Sequence, residues 1–179
     1  ELAVIFHPDI QIFEPFIWCF ADAESILFAS LAILLPLSQM PQLDAPAYYL
    51  VFRKGRINWL LGQILTAVII SFSYTLLLLG SAMILTLHRS FLTNQWSDTA
   101  TVLSFAPEQF EVALTVVRKT VKLTTPYHCA VAIFFLVAQY ILFLTFLNLI
   151  FSLRHGKKSG ITAVIVVSLY AYLLNPDKL

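Results

Sequence analysis

The groups in this chain that could carry chemistry are few and scattered. Four histidines (His7, His88, His128 and His155) and two cysteines (Cys19 and Cys129) are the candidate metal ligands and nucleophiles. No two histidines stand four residues apart, and neither cysteine has a Cys or His at metal-ligand spacing, so a zinc or redox centre has no scaffold. The run Gly156, Lys157, Lys158, Ser159 matches only the tail of a phosphate-binding loop, because the earlier glycine is missing and no soluble strand precedes it. GxSxG, HExxH and the paired carboxylates of intramembrane proteases are absent, which leaves hydrolysis without a nucleophile or base. The sequence therefore predicts no catalytic residue, no metal site and no cofactor, and the chain is not read as an enzyme.

The elements that must hold these groups are set by solvent. Hydrophobic residues make up 59% of the 179 and charged residues 12%, and the mean hydropathy is +0.83. A soluble domain uses about 25% charged residues to cover its surface, so lipid is expected to cover what these cannot. The net charge of +1 gives no pull toward nucleic acid. The chain opens at Glu1 with no basic stretch ahead of an apolar one, so no signal peptide is visible and the sequence reads as a fragment of a longer protein.

The fold class predicted is all-α, a polytopic transmembrane bundle of about four membrane helices plus an outer amphipathic helix. Trp59 to Leu87 carries no charge and exceeds the roughly 20 residues that cross about 30 Å of hydrocarbon. Cys129 to Leu153 does the same. Two further spans are placed near 17–40 and 161–175. The former contains Pro36 and has Asp22 and Glu24 near an interface, where a carboxylate costs less than at the midplane. The whole chain is treated as one transmembrane domain, with 88–128 as a polar outer segment.

Orientation follows from the dense basic clusters Arg53, Lys54, Arg56 and Arg154, Lys157, Lys158, which alternating crossings put on one side, the cytoplasm. By raw count the bias is six cations against five, so density per loop carries the assignment. Trp18, Trp96 and Tyr127 would mark the outer interface, and Tyr48, Tyr49 and Trp59 the inner one. Cys19 and Cys129 fall on the outer side, where they read either as inert packed thiols or as a disulfide. From Pro107 to about Thr124, Phe110, Leu114, Val117 and Val121 share one helical face, with acidic residues early and basic residues late. This helix would lie on the outer membrane surface or cap the bundle.

Apart from Asp22 and Glu24 near the interface end of the first, the interiors of the predicted spans lack Asp, Glu, Lys, Arg and His, so no ion relay is available there. What remains is neutral: Gln63, Ser71, Ser73, Tyr74 and Thr75 in the second span, and Gln139, Tyr140 and Asn148 in the third. These bond neighbouring helices or, for Gln63, Tyr74, Gln139 and Asn148, line a substrate path. Gly80 and Ser81 would permit close helix approach.

One stretch carries a family likeness. Asp44 to Gln63 reads DAPAYYLVFRKGRINWLLGQ, a short amphipathic segment and basic turn that lead into a membrane helix. It resembles the "DxPxYYLxxRxGRxxWLLGQ" run that joins the second and third membrane helices of ABC-2-type permease subunits of bacterial ABC transporters. The likeness extends to a long outer segment, to Thr125, Pro126 and Tyr127 ahead of the next helix, and to a basic turn before another. It implies a multi-pass subunit of the bacterial cell membrane with six helices, of which this chain would hold the second to the fifth. It also implies a partner permease subunit, same or different, and separate ATPase subunits that dock on the cytoplasmic loop. Tyr48, Tyr49 and Val51 would supply apolar contacts there, while Arg53, Lys54 and Arg56 would complement charge on the ATPase or anchor at lipid headgroups. The expected cargo is a peptide, antibiotic, lipid or similar amphiphile. A membrane scaffold or assembly protein of the cell envelope is the alternative.

Overall fold

The computed structural model describes residues 10–41, 53, 55–105 and 120–174. Within these the chain is predominantly α-helical. The elements are β1 (Ile10–Gln11), α1 (Glu14–Cys19), α2 (Ala23–Ala32), α3 (Leu34–Leu37), α4 (Arg56–Thr86) with a single 3-10 turn at Leu87–Arg89, β2 (Ser90–Phe91), α5 (Asp98–Phe105), α6 (Pro126–His155) and α7 (Lys157–Leu173). The two short strands pair in parallel, Ile10 beside Ser90 and Gln11 beside Phe91.

The long helices come from uninterrupted apolar runs with no internal proline. α4 has 31 residues and α6 has 30, roughly 45 Å each at 1.5 Å per residue. Arg56–Arg89 and Pro126–His155 are long and apolar enough to cross a membrane by length and composition. Only 11% of the most apolar window of the first, and 33% of that of the second, is buried inside the protein. A helix from the core of a soluble domain would be mostly covered.

Three hydroxyls on α4 bond back to the helix's own carbonyls. Thr66 Oγ1 donates to Gly62 O at 2.8 Å, Ser71 Oγ to Ala67 O at 2.8 Å, and Thr75 Oγ1 to Ser71 O at 2.9 Å. Back-bonding of this kind removes the cost of a free donor in hydrocarbon.

The first predicted span is not one helix. α1 ends at Cys19, and α2 and α3 are separated at Ile33. The cause is Pro36, which has no N–H for the carbonyl of Ala32 and whose ring crowds that carbonyl. The continuous apolar piece is Ala23–Leu37, about 22 Å long if helical throughout. The last predicted span becomes the 17 residues of α7, which begins at Lys157 rather than at 161. The predicted amphipathic helix at 107–124 falls almost wholly outside the described residues.

α6 begins with Pro126 at its first position, where the missing N–H costs nothing, and ends with Arg154 and His155 near its negative pole. Gly156 alone separates it from α7. Its φ of 91° and ψ of 165° lie in a region essentially reserved for glycine. Ser159 Oγ closes the turn, 2.9 Å from Phe151 O and 2.8 Å from Gly156 O.

The chain forms two compact units, 1–22 with 77–135 and 23–76 with 136–179. In the second unit, α2 and α3 pack on α7. The first turn of α2 meets the last of α7 where Tyr172 Oη donates to Glu24 Oε1 at 3.3 Å, so the two run antiparallel. α7 buries one stripe, Gly160, Val164 and Ser168, spaced by one helical turn and short enough for close packing. Ile33, Leu37, Ile141 and Leu144 of the same unit are also buried.

Candidate functional site

The predicted docking loop is described only at its end. Tyr48, Tyr49, Val51 and Lys54 lie outside the described residues. Arg53 and Arg56 are exposed on either side of Gly55, whose φ of 84° turns the chain into α4. Trp59 N–H donates to Gly55 O at 3.3 Å, so the helix starts directly from that glycine. Both cationic side chains are exposed, and α4 begins at the second of them.

The four predicted path residues differ in their surroundings. Gln139 is exposed and Gln63 half-buried. Tyr74 Oη donates to Ala29 O at 2.7 Å, which locks α4 to α2. Asn148 is fully buried, and its Nδ2 donates to Leu37 O and Met40 O, each at 3.3 Å. Its Oδ1 accepts from Ser152 Oγ at 3.4 Å. Ser71 Oγ and Thr145 Oγ1 approach to 3.4 Å between α4 and α6. For Tyr74 and Asn148 the polarity is spent on joining helices.

The predicted close approach at Gly80 is corrected. Among the described residues nothing lies within 4 Å of where a Cβ on Gly80 would stand, and Ser81 is exposed. The close crossing is at Gly160, where a Cβ would meet Ser152 Oγ at 2.0 Å, Asn148 Oδ1 at 2.4 Å and Asn148 O at 2.6 Å. Sequence alone marks Gly80 and Gly160 equally as small residues; only the neighbouring helix distinguishes them.

The first unit contains a buried carboxylate that the sequence reading missed. Glu14 is fully buried. Its Oε1 accepts from Ser97 N–H at 2.7 Å and its Oε2 from Ser97 Oγ at 2.7 Å. Ser97 Oγ in turn accepts from Ala100 N–H at 3.1 Å, an N-cap for α5. A negative group at the start of α5 also suits the helix dipole. Around it, Trp96 Nε1 donates to Thr124 O at 2.8 Å, Tyr127 Oη bonds to Leu92 O, and Phe13 meets the Tyr127 ring edge-on at 5.3 Å. Trp18, Trp96 and Tyr127, predicted for one interface, thus all belong to this unit.

No protein-family model, curated protein or solved structure matches this chain. The functional assignment therefore rests on its own residues. Cys19 and Cys129 are both free thiols, the first exposed and the second buried, so the disulfide alternative is not realised. Ile17, Cys129 and Ala130 form a small apolar core against which Trp18 and Trp96 pack. A cleft of about 270 Å³ runs along it, and the buried indole N–H of Trp18 has no acceptor among the described residues.

Burial pushes the Glu14 carboxyl above its ordinary value of 4.5, against the opposing pull of the Ser97 hydrogen bonds and the Gln11 backbone. A raised folded value means that the folded chain holds the proton more tightly than the unfolded one. The contribution is full below the ordinary value and is lost as pH rises through the folded one. Thermal unfolding from about pH 4 to 8 is expected to show this decline in the parent and its absence in Glu14→Gln. Equal slopes in the two proteins would remove Glu14 as its source.

Proposed function

We propose that this chain is a transmembrane permease subunit of an ATP-driven bacterial exporter, working as a dimer or heterodimer with two separate ATPase subunits. The observation that carries the reading is Asp44 to Gln63, the ABC-2-type run of aromatic, basic and glycine residues that leads into α4. In this reading α2 with α3, α4, α6 and α7 are four membrane-embedded segments of a six-helix subunit. The turns at 53–56 and 154–158 face the cytoplasm.

Physical chemistry supports a role in force transmission. Arg53 and Arg56 are exposed beside a glycine turn, and α4 continues from that turn for 31 residues without a proline. A partner that grips the loop thereby gains a stiff lever across the hydrocarbon. Charge pairs buried on docking would set affinity, and truncating one partner of such a pair costs about 2–5 kcal/mol. The cargo class is a peptide, antibiotic, lipid or other amphiphile.

Purification of the full-length protein with its associated proteins tests the reading. An ATPase is expected to come with it. Replacing Tyr49, Arg53 and Arg56 by alanine is expected to weaken docking at least about tenfold and to change the hydrolysis rate. Absence of any ATPase, or a rate indifferent to these residues, would favour an envelope scaffold instead.

A further inference from the structure

Three segments of the second unit meet at one amide. Asn148 on α6 gives both hydrogens of its Nδ2 to the carbonyls of Leu37 and Met40, at the end of α3. The end of α3 has a particular need of them. Pro41 has no N–H, so the usual donor to Leu37 O one helical turn on is missing, and only the shorter bond from Met40 N–H at 3.0 Å replaces it. The Oδ1 of the same side chain accepts from Ser152, so both donors and one acceptor direction of the amide are used. On its other side stands Gly160 of α7, close enough that one added carbon would collide with Asn148 Oδ1, Asn148 O and Ser152 Oγ.

We propose that Asn148 is a positioning residue that couples the end of α3 to the first turns of α7. Met40 is followed after Pro41 by the segment that bears Tyr48, Tyr49 and Val51, and the turn with Arg154, Lys157 and Lys158 lies between Ser152 and Gly160. A displacement at either site therefore acts on the same buried amide. Tight packing transmits it, because neither the backbone carbonyl of Asn148 nor Gly160 has slack. On the permease reading, which supplies its purpose, this amide makes the two basic loops respond together when one is gripped. The coupling itself does not need that reading.

Hydrogen exchange on the full chain in lipid nanodiscs tests it. The amides of Ser38 and Met40, bonded to Leu34 O at 2.8 Å and Leu37 O at 3.0 Å, report the end of α3. Asn148→Ala is expected to speed their exchange while the middle of α4 stays as in the parent. Gly160→Ala, although it lies on α7, is expected to do the same by pressing Asn148 away from its carbonyls. The double variant is expected to exchange at 37–40 no faster than Asn148→Ala alone, the signature of one shared path. Where Gly160→Ala does not fold, Ser152→Ala, which removes a single hydroxyl beside Asn148, is read in the same way. Unchanged exchange at 37–40 in the α7 variant, independent effects in the double variant, or a uniform rise across the chain would each overturn the coupling. None of these readouts involves an ATPase, so failure here leaves the permease assignment standing, and failure of that assignment leaves the coupling to be judged by itself.

Discussion

Ile69→Lys is expected to weaken membrane insertion of α4 by about 2.5–3.5 kcal/mol with little effect on the packing of the described fold. Ile69 lies near the middle of the helix and is 56% exposed. In water, a lysine at such a site would be harmless and would improve solubility, since surface substitutions away from special features shift stability by about 0.5 kcal/mol or less. In hydrocarbon the same change costs about 2.5–3.5 kcal/mol at the helix centre on the insertion scale. A glycosylation-reporter insertion assay on the second span reads the difference directly. A lysine variant that inserts as well as the parent would contradict lipid as the solvent of this face. Leu65, Phe72 and Leu76 extend the same exposed apolar surface, so a charge at those positions should act similarly.

Gly160→Ala is expected to lower stability by about 1–3 kcal/mol, the usual cost of overpacking a well-filled core. The opposite outcome is expected at Gly62→Ala and Gly80→Ala. Among the described residues nothing lies within 4 Å of a Cβ at either position, and alanine exceeds glycine in helix propensity by about 0.8–1.0 kcal/mol. Of the three atoms a Cβ at Gly160 would meet, Ser152 Oγ and Asn148 Oδ1 can rotate away at the expense of their hydrogen bond. The backbone oxygen of Asn148 cannot, so relief requires α7 to move outward. Denaturation in mild detergent with increasing dodecyl sulfate ranks the three variants. Equal midpoints would mean that α7 does not cross α6 at Gly160.

The two long helices were legible in the residues because the rule for them is simple, an uncharged apolar run of sufficient length. α4 and α6 follow it closely. α4 starts three residues before the predicted span because Arg56 can continue a helix beyond the apolar stretch without entering it. The break at Ile33 was implicit in Pro36, but sequence does not show whether a proline bends a helix or divides it. Asn148 was visible as a polar residue in an apolar run, although packing and passage would call for the same side chain. The tie from Glu14 to Ser97 spans 83 positions and has no local signature. Tertiary packing created it, and a glutamate near an aromatic cluster reads from sequence as an interfacial charge.

The turn at Gly156 has a consequence for chemistry performed on the protein rather than by it. Its φ of 91° and ψ of 165° are the mirror image of an ordinary extended conformation. An L-residue is strained there, whereas a D-alanine adopts these angles without that strain. Semisynthesis could thus stiffen the hinge between two greasy rods with a single inverted stereocentre and leave both rods untouched.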